Sequence, residues 1–173
     1  MKEIDLKSST VDKALDLAKD FLQTLIGPSV GELGQFFADK VKVWRLKNQI
    51  NTLGKVQKII KEKNIKPQQV NLKVLLPYLD GVSLEDNEDL QDIWANLLVN
   101  YVDSSKNLST HIYPDILRQL SSKDIQVLER VFTWSETNTN LERFDPNEKL
   151  YFQDIANIER LGLIKSPEYY TGY

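Results

Sequence analysis

The sequence contains no cysteine and only one histidine, His111, among its 173 residues. The absence of cysteine excludes disulfides, thiolate metal sites and cysteine nucleophiles. A catalytic triad or a histidine-based metal site would depend on His111 alone, which we interpret as a surface or helix-start histidine. Glycine-rich phosphate loops and the G-x-S-x-G motif are also missing. The sequence therefore predicts no catalytic residue, no cofactor and no bound metal, in a protein that is not an enzyme.

Long uncharged runs are absent as well. Residues 21–31 form an uncharged run of eleven residues that Gly27 and Pro28 interrupt, whereas a membrane-spanning helix needs about 20 apolar residues. Residues 1–10 lack the apolar segment of a signal peptide. These absences predict a cytoplasmic protein, either free or peripheral to the membrane.

The composition is that of an ordinary globular protein, with 41% hydrophobic and 27% charged residues. A chain of 173 residues can form one domain or two small ones. The net charge of −3 indicates no overall preference for nucleic acid.

Residues 29–64 are predicted to form one long helix around which the chain is organised. Ser29 and Glu32 match the S-x-x-E capping box of a helix start. Apolar residues follow at the spacing of a half-buried helix: Leu33, Phe37, Val41, Trp44, Leu46, Ile50, Leu53 and Ile60. A helix of this length would span roughly 50 Å, so a break near Gly54 is the alternative.

The same segment is the most basic part of the chain. Residues 40–66 hold nine cations and one anion, so their net charge is +8 and that of the remainder is −11. A basic helix can bind phosphate backbones or an anionic membrane surface. The candidate interaction surface consists of Lys40, Lys42, Arg45, Lys47, Lys55, Lys58, Lys61 and Lys63. The alternative is neutralisation by residues 67–92, which hold six anions and one cation.

An amphipathic helix is predicted upstream, over residues 11–26. Gly27 should end it, and Pro28 suits the first turn of the next helix. The two helices should form a hairpin with their apolar faces in contact. A membrane-active hairpin is the alternative interpretation of the same pattern.

Two further helices are predicted in the middle of the chain. Residues 72–79 predict a short helix that Pro77 kinks or divides, followed by a turn at residues 80–81. Apolar residues at helical spacing predict a longer helix over residues 87–103. The carboxylates at 85–92 could bind a divalent cation and support a metal-dependent nuclease, but they lack the EF-hand pattern.

The polar segment 104–110 is the best candidate for a domain boundary. It divides the chain into a helical domain, residues 1–106, built on the basic helix, and a small subdomain, residues 107–173. Helices in the subdomain are predicted over residues 114–120, after Ser121 and Ser122, and over residues 151–161.

Gly162 should end the last helix and a strand should begin at residues 163–165, an order that looks like part of a winged-helix domain. The corresponding recognition helix has Arg160 as its only cation, against Asp154 and Glu159. Phosphate contacts need several cations, so this half of the chain favours a structural or protein-contact role over DNA binding.

Three stretches together resemble the abortive infection alpha family of bacterial proteins: VWRLKNQINTL (43–53), VSLEDNEDLQDIWANLLVNYVD (82–103) and NIERLGLI (157–164). The resemblance extends over residues 27–164, and the middle stretch is its most specific part. It implies a role in defence against phage, and it supplies no catalytic residues.

The sequence thus predicts an all-α fold, a long helical hairpin plus shorter helices with a partial winged-helix-like C-terminal part. The resemblance implies a non-enzymatic phage-defence protein that acts through protein or membrane-surface contacts. The alternative is a nucleic-acid-binding module that uses residues 40–66 and the C-terminal part. The partners to consider are another protein, a second copy of the chain, an anionic membrane surface or nucleic acid, with no small-molecule substrate.

Overall fold

The computed structural model describes residues 11–26, 43–106, 108–137 and 152–165. Within these ranges the chain forms seven α-helices and no strand, apart from an isolated bridge between Pro67 and Asp103. The helices are α1 (Val11–Ile26), α2 (Val43–Glu62), α3 (Leu72–Ser83), α4 (Glu88–Val102), α5 (Ile112–Leu117), α6 (Ser122–Thr137) and α7 (Phe152–Arg160). The all-α prediction is therefore confirmed.

The chain divides into two compact units, Met1–Arg118 and Gln119–Tyr173. In the first unit, α2 packs against α3, α4 and α1, and α5 packs against α3. In the second unit, α6 packs against α7. The short helix α5 thus belongs to the first unit.

Helix α2 is the described part of the predicted long helix, and it continues through Gly54 without a break. It ends in a Schellman motif, in which Ile65 N–H donates to the Ile60 carbonyl and Asn64 N–H to the Lys61 carbonyl. Asn64 has φ of 52° there, a left-handed conformation that asparagine tolerates. The predicted start of the long helix, residues 29–42, lies outside the described residues.

Helix α3 differs from its prediction at two places. Pro77 does not divide the helix, and residues 80–81 form part of it rather than a turn. The helix persists because its buried side chains stabilise it by tertiary packing: Val74, Leu75, Tyr78, Leu79 and Val82. Gly81 is needed there because a Cβ at this position would lie 2.4 Å from Cη2 of the buried Trp94 ring.

The core of the first unit is formed by apolar faces of α1 to α4. Helix α1 contributes six buried residues from one face: Ala14, Ala18, Phe21, Leu22, Leu25 and Ile26. Helix α2 contributes Ile50, Leu53, Val56 and Ile60. The Val70 N–H donates to the Leu25 carbonyl at 2.7 Å, which ties the segment after α2 to the end of α1.

Helix α4 agrees with its prediction to within one residue at each end. Asn87 is its N-cap and accepts a hydrogen bond from Leu90 N–H at 3.0 Å. Glu88 and Asp89 in the first turn interact favourably with the helix dipole.

The last helix also matches its prediction, but the strand after it was wrong. Gly162, with φ of 71°, closes a Schellman motif in which Leu163 N–H donates to the Ile158 carbonyl. Residues 163 and 164 form bends and residue 165 is irregular, so none of the three pairs as a strand in the part of the chain that the structure describes. No winged-helix feature is present in the described residues of the second unit.

Candidate functional site

The described part of the candidate interaction surface lies on α2 and at its C-terminal end, and its cations differ in how far they are held by other helices. Lys40 and Lys42 lie outside the described residues. The remaining six are Arg45, Lys47, Lys55, Lys58, Lys61 and Lys63.

Arg45 is committed to contacts within the first unit. Its Nη2 atom lies 3.3 Å from Oδ1 of Asp80, and its Nε–H donates to Oγ of Ser83 at 3.1 Å. The second carboxylate oxygen of Asp80 lies 3.3 Å from Nη1 of Arg118. Asp80 therefore connects α2 and α3 to the residue that follows α5, and Arg45 is held inside this cluster.

Lys55 is engaged in a similar way with α4. Its Nζ atom lies 2.6 Å from Oδ1 of Asp92 and donates to the Glu88 carbonyl at 3.2 Å. The predicted neutralisation by the acidic segment is therefore confirmed for Lys55 and Arg45. Exposed pairs of this type are each worth at most about 1 kcal/mol, so they orient the helices more than they stabilise them.

Three lysines of α2 are exposed, and we call Lys47, Lys58 and Lys61 the lysine strip. Together with Asn51 and Gly54 they follow a spacing of four, three, four and three residues, which places them on one helix face. The strip spans about 21 Å along the helix axis. Lys58 also lies 3.8 Å from the Glu62 carboxylate on the next turn, with 73% of its side chain exposed.

Lys63, beyond the end of α2, is exposed and contributes to the electrostatics of Asp103. The pKa of the Asp103 carboxyl is lowered mainly by hydrogen bonds from Ser105, and Lys106 and Lys63 add smaller effects. Lys63 thus lies near Asp103, the residue after α4, rather than in the lysine strip.

A buried polar seam between α2 and α3 was missed by sequence reasoning. The side-chain amide of Asn48 donates to the Ser83 carbonyl at 3.3 Å, and that of Gln49 donates to the Leu79 carbonyl at 2.9 Å. The two residues are 8% and 1% exposed. The only sequence signal is that Asn48 and Gln49 directly precede Ile50, the first of the buried apolar residues of α2.

The carboxylates at residues 85–92 serve local structure. Glu85 accepts a hydrogen bond from Asn87 N–H at 3.1 Å, and Asp92 pairs with Lys55. Among the described residues, no group of three or more histidine, aspartate or glutamate side chains is arranged to hold a metal ion. None of the described helices is long and apolar enough to cross a membrane.

In the second unit, Asp124 connects α6 to α7. Its Oδ2 atom accepts hydrogen bonds from the Ser121 N–H and Oγ–H, both at 2.7 Å, and from the Asn157 amide at 3.2 Å. The Ser121 Oγ atom accepts in return from Asp124 N–H at 3.2 Å, as in a capping box. Burial alone would raise the pKa of Asp124, but hydrogen bonds from Ser121 and Asn157 outweigh it and lower the pKa.

Arg160, the cation of the predicted recognition helix, is occupied in the same unit. It donates to Oδ1 of Asn157 at 2.8 Å and to Oε1 of Gln119 at 3.1 Å. The Asn157 amide also donates to the Gln119 carbonyl at 2.9 Å. The arrangement fixes α7 against the start of α6 and leaves Arg160 poorly placed for a phosphate contact.

We expect the replacement of Asp124 by asparagine to destabilise the second unit by about 1–2 kcal/mol at pH 7, because the charged N-terminal hydrogen bonds are lost. The folded-state pKa of Asp124 is lowered, so its contribution is present above the unfolded-state pKa and disappears as the pH falls through the folded-state pKa. The wild type and the variant should therefore converge in stability under strongly acidic conditions.

This difference is measured by urea unfolding of the full chain between pH 7 and pH 2.5. Hydrogen exchange of the α6 amides then shows whether the change lies in α6. Asp16→Asn, at an exposed position of α1, is the matched control and should leave the α6 amides unchanged. A difference between Asp124→Asn and wild type that stays constant over the whole pH range would contradict the prediction.

The comparisons with known proteins identify a family for this chain. No significant match was found among curated proteins or among solved structures. The family model described as "Abortive infection alpha" matches residues 41–172, which is more than half of the chain and includes α2 to α7. Helix α1 lies outside the matched region, which begins further along the chain than the resemblance at 27–164. The chain therefore belongs to the abortive infection alpha family.

Proposed function

We propose that this protein acts in phage defence by abortive infection, as a non-enzymatic cytoplasmic protein whose lysine strip contacts an acidic surface of a protein partner. The observation that carries the defence role is the family match over residues 41–172. The contact surface is supported by the exposure of Lys47 and Lys58 on the outer face of α2.

The structure favours a protein partner over a membrane surface. A helix that lies on a membrane needs a free apolar face flanked by cations. The apolar face of α1 is buried in the first unit, and its polar side mixes exposed Lys13 with Asp16 and Asp20. Helix α2 also buries the apolar residues Ile50, Leu53, Val56 and Ile60, so these side chains are not available beside the lysine strip to enter lipid.

An acidic protein surface suits the lysine strip for electrostatic reasons. Exposed charges at the edge of an interface raise the rate of association and select the partner by charge complementarity. The pairing of Arg45 and Lys55 inside the first unit removes them from this surface. Recognition would then depend on the lysines that remain exposed, with either another protein or a second copy of the chain as the partner.

The test is a phage-plating assay with two matched double variants. Lys47→Gln/Lys58→Gln removes two charges from the lysine strip, whereas Lys13→Gln/Lys73→Gln removes two from other exposed positions. We expect the first variant to lose most of the protection conferred by the wild type, at unchanged protein level and unfolding midpoint. The second variant should retain protection.

Equal protection by both variants would remove the lysine strip from the proposal, and a wild type without any effect on phage or host growth would contradict the defence role. Leakage of dye from anionic liposomes would favour the membrane. Magnesium-dependent nuclease or nucleotide turnover that is lost in Asp89→Asn/Asp92→Asn would contradict the non-enzymatic part.

Nucleic-acid binding is the second candidate, and the exposed line of Lys47, Lys58 and Lys61 is the observation that favours it. Three phosphate contacts would make the affinity fall with salt, with a logarithmic slope of about −0.9 for each contact. The winged-helix-like route through the second unit is less favourable, because Arg160 is engaged by Asn157 and Gln119. Retention on DNA or RNA at low salt that weakens in Lys47→Gln/Lys58→Gln would support this candidate, whereas a flat salt response would exclude it.

A further inference from the structure

The last turn of α3 has a conformation that its own sequence does not favour. Asp80 and Gly81 form a dipeptide typical of turns, and glycine is a weak helix former. The structure nevertheless holds both residues in α3, which ends at Ser83. Gly81 cannot be exchanged for a better helix former, because a Cβ there would lie 2.4 Å from Cη2 of Trp94. The helical state of residues 80–83 therefore depends on contacts from outside α3.

The hydrogen bonds of the last four carbonyls show where these contacts come from. The last four carbonyls of a helix have no partner within the helix itself. The Gly81 carbonyl accepts from Leu84 N–H at 3.1 Å, and the Val82 carbonyl accepts from Glu85 N–H at the same distance. The backbone that follows α3 thus satisfies two of the four carbonyls.

The other two carbonyls depend on side chains of α2. The Ser83 carbonyl accepts from the Asn48 amide at 3.3 Å. The Asp80 carbonyl accepts from the Ser83 hydroxyl at 2.6 Å, and this hydroxyl accepts in turn from Arg45 Nε–H at 3.1 Å. Arg45 therefore orients the Ser83 hydroxyl toward the carbonyl that it satisfies.

The contact continues one residue further along α2. The Gln49 amide donates to the Leu79 carbonyl, just before the last turn of α3, at 2.9 Å. Arg45, Asn48 and Gln49 are spaced at i, i+3 and i+4, so they lie on one face of α2. We call these three residues the capping face, since they cap the end of α3 from a different helix.

We propose that residues 80–83 are a conformational switch. They are helical while the capping face of α2 holds their carbonyls, and they adopt the turn that their sequence favours when this face moves away. The local preference and the tertiary contacts oppose each other here, which is the condition for a segment with two stable states. The first turn of α3 has its own N-cap at Asn71, so the last turn opens without unfolding of the whole helix.

The test is NMR of the full chain, with Cα chemical shifts of residues 80–83 and hydrogen exchange of the Leu84 and Glu85 amides. Asn48→Leu/Gln49→Met removes two donors of the capping face at nearly unchanged side-chain volume. We expect helical shifts to be lost at residues 80–83 and kept in the earlier turns of α3. The two amides should exchange about tenfold faster, because two hydrogen bonds to this segment are lost.

Lys55→Met is the matched control, because the Lys55 ammonium contacts α4 instead of α3. It should change neither the shifts at residues 80–83 nor the exchange of the two amides. Ser83→Ala is a milder variant that keeps every side chain of α2. It removes the hydroxyl between Arg45 and the Asp80 carbonyl, and it should raise both exchange rates about threefold.

Two results with the double variant would overturn the proposal. Unchanged shifts at residues 80–83 would show that the capping face does not hold them in the helix. Loss of helical shifts along the whole of α3 would show that its last turn is not a separate switch. If the double variant does not fold, Ser83→Ala decides: faster exchange of the Leu84 and Glu85 amides supports the switch, and exchange equal to that of the wild type overturns it.

Discussion

Replacing Trp94 by alanine should lower the free energy of unfolding of the first unit by about 3–5 kcal/mol. The indole is 1% exposed, contacts the Tyr78 ring edge to face, and lies against the backbone of Gly81. Its removal deletes the largest fully buried side chain among the described residues and leaves a cavity between α3 and α4, which the helices can close only in part.

Urea unfolding followed by far-UV circular dichroism, with hydrogen exchange of the α4 amides, would measure this loss in the full chain. Tyr113→Ala, at an aromatic residue that is 44% exposed, is the control and should change stability by less than about 1 kcal/mol. If Trp94→Ala cost no more than the control, the indole would not be part of the core in solution.

Phe21→Ala on α1 should have a similar effect, about 3–5 kcal/mol, since its ring is completely buried. The result matters because α1 precedes the residues that match the family, 41–172. A large loss would show that α1 is an integral layer of the first unit and that its apolar face is needed for folding.

Urea unfolding combined with hydrogen exchange of the α2 amides measures this effect, because α1 packs on α2. Gln23→Ala changes an exposed position of the same helix and should have little effect or stabilise it slightly. If the α2 amides are equally protected from hydrogen exchange in Phe21→Ala and Gln23→Ala, α1 does not contribute to the stability of the first unit.

Helices with a strong local signal were predictable from the sequence. The bounds predicted for α1 agree with the structure, because an uninterrupted apolar face ends at the strong stop signals Gly27 and Pro28. The family resemblance was confirmed for the same reason, since it depends on residue patterns along the chain. Local rules were misleading at Pro77 and Gly81, where the packing of α3 against its neighbours outweighs the cost of a proline inside a helix.

For the candidate site, the sequence predicted the charged residues but not their contacts. Sequence alone shows that α2 is basic, but the pairing of Arg45 with Asp80 and of Lys55 with Asp92 joins residues 35 and 37 positions apart. Whether a lysine is exposed depends on which helix faces are covered. The lysine strip is therefore a product of packing, and part of the predicted surface, Lys40 and Lys42, lies outside the described residues.

By itself, the sequence determined the all-α class, the positions of the strongest helices and the excess of positive charge on one of them. These properties follow from the spacing and identity of neighbouring residues. Only the tertiary structure decided which cations are paired, why Gly81 must be a glycine, and that Gln49 and Thr52 lie in the core. Those features depend on contacts between helices far apart along the chain, which no local pattern encodes.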